Sequence, residues 1–294
     1  LRKLAYWYAT GSGKTCMVLA LVRYFQAKGT LQRALVLVPR LSTKAEWVRE
    51  LQKHAPDTRY LVLDGPLNKR WETLQTTDAT VVVDTYAGFA RLMSTKGVSK
   101  KTGKPKLVRV STHAKQVTKL FDMVVCDESS VAGLGNRASL TYRIVNSLCQ
   151  AVPYVYLLNG TPFGRDPTPL WPQMHCIDGG ETLGESLGLF REAFFNESHN
   201  GFATEWKFDT EKTSTLHQIL KNRSLRYQAD EADLPPVVRI TKQVRLAGDA
   251  NDIYNKALAS LRKYRGKVVK LQNVFLRMRQ ISSGFLGYKD DEGG

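Results

Sequence analysis

Six short apolar runs constrain this chain more than any other feature. They are LAYWYA (4–9), ALVLVP (34–39), RYLVLD (59–64), ATVVVDTYA (79–87), MVVCDE (123–128) and YVYLLNGTP (154–162). None shows the alternation of a half-solvated strand. Continuous runs of this kind belong to strands buried on both faces. Helix-patterned stretches near 14–27, 43–54, 88–94 and 137–150 fall between them. Strands alternating with helices predict an α/β, doubly wound parallel sheet, with ligands at the carboxyl ends of its strands.

The first such end carries the segment YATGSGKT, residues 8–15. Gly11 and Gly13 tolerate the backbone angles that turn successive N–H groups inward as a nest for anionic oxygens. A helix starting near Lys14 adds its positive end. Lys14 supplies a mobile charge for the outer phosphates of a nucleotide, and Thr15 a hydroxyl for Mg²⁺. Gly11, Ser12, Gly13, Lys14 and Thr15 are therefore the expected ATP-binding residues. The first position of the eight-residue pattern is ordinarily small, and here it is Tyr8. A large residue at the strand end need not block the phosphates.

A phosphate loop hydrolyses nothing alone; a metal-holding acid and a residue that orients water complete the set. The fifth run ends in Asp127 and Glu128. Asp127 is expected to support Mg²⁺, directly or through its waters. Glu128 is expected to orient or deprotonate the attacking water.

Charge points to the partner. Lys and Arg number 43 against 27 Asp and Glu, a net +16 over 294 residues, which favours a polyanion, nucleic acid before membrane. Residues 95–119 hold eight basic side chains and no acid. The interval is too long for an ordinary connection, and KTGKPK predicts a basic hairpin. Lys100, Lys101, Lys104 and Lys106 are its expected phosphate contacts. No apolar run reaches the roughly 20 residues of a membrane span. Cys16, Cys126, Cys149 and Cys176 form no C-x-x-C pair and have no histidine at metal spacing. This argues against zinc and for a reducing, cytoplasmic compartment. Trp47 is expected in the core, and Trp206 packed beneath a loop.

Taken in order, the motifs resemble those of a helicase superfamily 2 ATPase of the Swi/Snf-like branch, especially its compact phage and bacterial members. ATGSGKT is similar to motif I, LVLVPR to Ia, VVVDTYAG to Ib, VVCDESS to II and LLNGTP to III. LWPQMHCIDGG, LPP, IYNKAL and LRMRQISSGFL extend the likeness over nearly the whole chain. The resemblance implies a RecA-like fold, ATP and Mg²⁺ as cofactors, and a motor that hydrolyses ATP to move along nucleic acid, DNA more than RNA. It implies backbone contacts from Arg40, Thr85 and Tyr86. Gly160, Thr161 and Pro162 would couple the state of ATP to the grip on nucleic acid. Besides Tyr8, three positions depart from the usual pattern: Ser129 and Ser130 after the acid pair, and Asn159 before Gly160.

Residues 1–234 are expected to form the first RecA-like lobe, with the 95–119 insertion and a helical extension over 163–225. Residues 235–294, after the Pro235–Pro236 joint, would begin a second lobe. The chain opens on Leu1 and shows no second-lobe arginine motif, so a longer polypeptide is expected. An arginine finger is worth about 10³–10⁵ in rate, so this segment alone would turn over feebly. Two other readings remain: a nucleic-acid-binding scaffold with little turnover, and the motor subunit of a restriction system or an RNA helicase.

Overall fold

The computed structural model describes residues 2–98, 103, 105–130, 134–164, 166–199, 204–227, 238–241, 245, 246, 248–263 and 276–283. Contacts divide the chain into two compact units, Leu1–Leu234 and Pro235–Gly294.

In the first unit β1 (Lys3–Tyr8) runs into α1 (Lys14–Ala27), β2 (Ala34–Val38) into α2 (Leu41–His54), and β3 (Tyr60–Val62) into α3 (Leu67–Thr76). β4 (Val81–Thr85) leads to α4 (Tyr86–Leu92), then to β5 (Ser94–Val98), β6 (Pro105–Arg109) and α5 (Ser111–Val117). β7 (Met123–Asp127), α6 (Leu140–Ala151), β8 (Tyr154–Asn159), α7 (Leu170–Asp178) and α8 (Leu187–Phe194) follow. The unit closes with β9 (Phe195–His199), β10 (Thr204–Phe208), α9 (Thr213–Leu220) and β11 (Ser224–Tyr227).

Seven strands form one sheet in the order β11-β1-β8-β7-β2-β4-β3, and every neighbouring pair is parallel. All six apolar runs lie in it. The doubly wound α/β expectation therefore holds. β2, β4 and β7 are buried at each of their five positions, which is why their sequences show no alternation. Alternate side chains still go to opposite faces. Val36, Val83 and Val125 meet Val18, Leu19, Trp47 and Leu51 of α1 and α2. Leu35, Val82, Val124 and Cys126 meet Phe89, Val145, Met174 and Phe190 of α4, α6, α7 and α8.

The hairpin expected in the basic interval is present: β5 pairs antiparallel with β6, Ser94 opposite Arg109. Lys106 is exposed on it; Lys100, Lys101 and Lys104 lie outside the described residues. The stretch 163–225 is less helical than expected. Phe195–His199 leaves the helix to pair with β10, and Ser224–Tyr227 joins the main sheet beside β1. Tertiary pairing overrides the helical pattern of LGLFREAFFN, because Phe195 packs on Phe190 and Phe208. Trp206 packs partly buried against the core, as expected.

The second unit contains α10 (Asp249–Lys263) and a helical stretch over residues 276–282. Ala257, Met278 and Ile281 form a small core there, with Ile253 and Tyr254 packed against it. No helix among the described residues is long and apolar enough to cross a membrane.

Candidate functional site

Strand register assembles the site. Trp7 of β1 lies beside Asn159 of β8, Leu158 beside Asp127 of β7, and Val38 of β2 beside Thr85 of β4. The loops that follow these residues therefore emerge along one carboxyl edge, although the sequence separates the first from the last by 152 positions.

The glycine loop has the conformation its composition predicts. Gly11 and Gly13 hold φ of 84° and 78°, in the left-handed region. Gly13 is the N-cap of α1, and no side chain caps that helix start. The first-turn N–H groups are thus left to an external acceptor. Ser12 pins the turn by donating its hydroxyl to the Ala9 carbonyl at 2.6 Å. The Lys14 ammonium donates to the Tyr8 and Ala9 carbonyls, at 2.8 and 3.2 Å. Burial lowers the Lys14 pKa, and the Glu128 and Asp127 carboxylates pull it back up.

Tyr8 is explained by its strand. Its backbone carbonyl serves Lys14, while its ring lies 5.8 Å edge-on from Tyr6 and 5.6 Å from Tyr227 on β11. The ring braces the edge of the sheet and takes no part in the loop. Tyr8→Ala should therefore lower stability by about 1–3 kcal/mol, read as a drop in melting temperature. Nucleotide affinity should stay within a few-fold. A loss of affinity greater than tenfold without loss of stability would put the ring in the site.

Asp127 and Glu128 stand at the end of β7. Burial raises the Asp127 pKa, and its hydrogen bonds with Trp47 and the Glu128 amide oppose the rise. Burial, and then the Asp127 charge, push Glu128 up as well. A carboxyl so raised is a better proton acceptor than an exposed one. Glu128 sits at φ 48°, the only non-glycine residue with positive φ among those described. Such a conformation costs about 1–2 kcal/mol. Strain of this size persists where neighbours hold the residue in place.

The three departures from the usual motifs all make hydrogen bonds at this edge, in two sets joined by the chain at Thr161–Pro162. Asn159 donates to the Ser130 hydroxyl at 2.6 Å and accepts from the Thr161 amide at 3.0 Å. Ser129 donates to Gln173 of α7 at 2.7 Å. The Gln173 amide in turn donates to the Pro162 and Pro169 carbonyls, at 2.9 and 2.8 Å. The segment after Glu128 and the Gly160–Pro162 turn are thus tied to each other and to α7. Gly160 lies against the glycine loop, where an added Cβ would sit 3.6 Å from Thr10 Oγ1 and from the Tyr8 carbonyl. Sequence reading passed over Gln173. Its only mark in the sequence is an amide set within the apolar stretch LWPQM, and the structure buries it fully.

A cleft of about 1650 Å³ opens beside this edge, lined in part by Trp7, Ala9, Gly160, Thr161, Pro162 and Tyr227.

The residues expected to meet nucleic acid divide. Arg40 is exposed and precedes α2. Thr85 is only 8% exposed and caps α4, its hydroxyl accepting from the Gly88 amide at 2.9 Å, so its side chain is committed to the helix start and not free for a phosphate. Tyr86 requires a correction: its side chain is only 2% exposed, and its hydroxyl donates to the Asp127 carbonyl at 2.9 Å. Its ring and hydroxyl are committed to the core and do not face a phosphate backbone. Trp47 is in the core as expected, but it also donates its indole N–H to Asp127 Oδ2 at 2.8 Å, a bond no sequence pattern announced. Behind Thr85, the buried Asp84 is paired with Arg70 of α3 and with Lys44 of α2, the latter at 3.2 Å. Lys44 also reaches Asp64 at 2.7 Å. This cluster ties α2, α3 and the start of α4 together.

Comparison with known proteins agrees with the fold. The chain matches the SNF2-related domain family over residues 9–290. It is 23% identical to the nuclear protein STH1/NPS1 of Saccharomyces cerevisiae over 308 aligned positions, covering 96% of this chain and 20% of that protein. It is 40% identical to the ATP-dependent helicase fft1 of Schizosaccharomyces pombe over 80 residues, 26% of this chain and 8% of the relative. The chain thus spans a fifth or less of these relatives. Among solved structures it resembles the Sulfolobus solfataricus SWI2/SNF2 ATPase core in complex with dsDNA, with TM-score 0.57 and 21% identity. That match covers 95% of this chain and 53% of the other. The SWI2/SNF2 ATPase core domain of the same organism gives 0.54 and 20%, covering 95% and 52%. The fold is that of a RecA-like SWI2/SNF2 ATPase core, and the chain belongs to the SNF2-related domain family.

Proposed function

We propose that this chain is the ATP-hydrolysing part of a DNA translocase, with residues 235–294 beginning a second RecA-like lobe. The observation that carries the proposal is the convergence of the glycine loop, the Asp127–Glu128 pair and the Gly160–Pro162 turn on one sheet edge.

In this reading the N–H groups of residues 11–15 and the Lys14 ammonium bind the phosphates of ATP. Lys14 would leave the Tyr8 and Ala9 carbonyls to do so. Thr15 and Asp127 would hold Mg²⁺, which lends charge stabilisation to the phosphates. The donor set fits that ion. Both ligands are oxygen atoms, and the described residues contain no cluster of three His, Cys, Asp or Glu that could hold a metal alone. Magnesium is commonly held by one or two protein oxygens, with phosphates and water completing the shell. Glu128, with its raised pKa, would take the proton from the attacking water. The Ser130–Asn159–Thr161 bonds would pass a change at the phosphates to the turn beside the loop. Support for a DNA partner comes from the +16 charge, the basic hairpin and the dsDNA complex of the Sulfolobus structural neighbour. The test is whether double-stranded DNA raises ATP turnover.

Arg40 and the lysines of the basic interval would grip the phosphate backbone. Replacing Lys100, Lys101, Lys104 and Lys106 with Ala should flatten the salt dependence of DNA binding, because each lost phosphate contact removes about 0.9 from the log–log slope. Titrations of labelled duplex at several salt concentrations read this directly. An unchanged slope removes the hairpin from the interface.

A further inference from the structure

The β5–β6 ribbon holds apolar side chains out in water. Its base is fixed. The Val110 amide donates to the Met93 carbonyl at 2.9 Å, and the Arg109 guanidinium donates to the Ser147 hydroxyl of α6 at 2.9 Å. Beyond Ser94 and Arg109 the pairs run Thr95–Val108, Lys96–Leu107 and Gly97–Lys106. Each of these residues except Gly97 is exposed.

Residues opposite each other in a ladder share a face, and so do alternate residues of one strand. Lys96, Leu107 and Val98 therefore stand on one face. Leu107 is 41% exposed there and Val98 63%. The other face is shallow. It carries Gly97, and a Cβ at that position would come within 2.6 Å of Val108 Cγ2. Glycine weakens a strand interior, and its use here keeps the ribbon thin.

A two-stranded ribbon is all edge, and lysine is an ordinary guard against edge-to-edge pairing. Lys96 and Lys106 serve that end. Val98 and Leu107 do the opposite, since apolar side chains on an open edge invite association unless a partner covers them. Charge identifies the partner. Residues 95–119 hold eight basic side chains and no acid, so the ribbon fits a polyanion. That polyanion must also offer apolar contact inside a slot as wide as the ribbon. The major groove of duplex DNA does both. It is about 12 Å wide, admits a two-stranded ribbon, and presents the thymine methyl beside base-edge acceptors for lysine.

We infer that the β5–β6 ribbon enters the major groove of duplex DNA and sets Lys96, Val98 and Leu107 against base edges. The inference rests on the DNA reading proposed above and goes beyond it. Phosphate contacts hold the backbone and weaken with salt, whereas Val98 and Leu107 add a grip that salt does not screen.

The experiment measures the affinity of the full-length protein for a labelled A·T-rich duplex at several salt concentrations, made with thymine or with uracil. Uracil lacks only the 5-methyl group, which lies in the major groove. The parent protein should bind the thymine duplex about three- to fivefold more tightly. Val98→Thr and Leu107→Thr together keep residues suited to a strand. They should weaken binding to the thymine duplex by about tenfold, the scale of two aliphatic side chains left in water. The salt slope should stay the same and the thymine preference should vanish. Melting temperature should hold, because both positions are exposed. A parent protein indifferent to uracil takes the ribbon out of the major groove and overturns the inference. A folded double variant that binds like the parent overturns it as well. Both results leave the DNA reading standing, which the lysine variants and DNA-stimulated turnover test separately. A parent protein that binds no duplex at any salt concentration overturns both.

Discussion

Lys14→Ala is expected to lower DNA-stimulated ATP hydrolysis by about 10²–10³-fold, the usual cost of removing one preorganised charge or donor from a developing anion. The ammonium sits at the start of α1, half-buried between the loop carbonyls and the Asp127–Glu128 pair. It therefore has two tasks. Without nucleotide it satisfies the Tyr8 and Ala9 carbonyls; with nucleotide it would serve as a mobile cation for the outer phosphates. Its loss should weaken nucleotide binding as well as turnover. Melting temperature should change little, since the half-buried carbonyls can turn to water. Turnover per enzyme at saturating duplex, together with binding of a fluorescent ATP analogue, separates the two losses. A variant that keeps its stimulated rate would place the chemistry elsewhere.

Glu128→Gln should separate binding from chemistry in the other direction. The substitution keeps the shape of the side chain and the φ 48° backbone, and removes the proton acceptor. General-base catalysis contributes about 10²–10⁴-fold, and turnover should fall by that amount. Nucleotide affinity should be equal or tighter, because burial and the Asp127 charge already resist a carboxylate at this position. An equal fall in affinity and turnover would make Glu128 a binding residue and return the water to another group.

The sequence revealed the parallel sheet because full burial leaves its mark on every residue of a strand: ALVLV, VVVDT and MVVCD admit no solvent face. It revealed the glycine loop because only glycine adopts the angles of positions 11 and 13 without strain. α3 escaped notice because LNKRWETLQT carries little apolar surface, with only Arg70 and Leu74 buried. The strands β9 and β11 also escaped, since their pairing partners lie elsewhere in the chain. The same limit hid the side-chain network. Trp47 and Asp127 are 80 residues apart, and nothing in AEWVREL distinguishes a packed indole from one that holds a carboxylate. Tyr86 was misplaced for a related reason. A motif tells which segment approaches a partner, and the side chain's direction depends on the core behind it. Ser129, Ser130 and Asn159 looked like three separate irregularities. The fold joins Asn159 to Ser130 and, through Gln173 and Pro162, brings Ser129 into the same cluster.

ATP turnover by the full-length protein with double-stranded DNA, single-stranded DNA, RNA or no polymer tests the central claim most directly. A nucleic-acid-driven motor of this family should show low basal turnover and a clear rise with duplex DNA, abolished by Lys14→Ala. A larger rise with RNA would reassign the substrate to the RNA-helicase reading. Turnover unchanged by every polymer would contradict the motor assignment and leave a nucleic-acid-binding scaffold in its place.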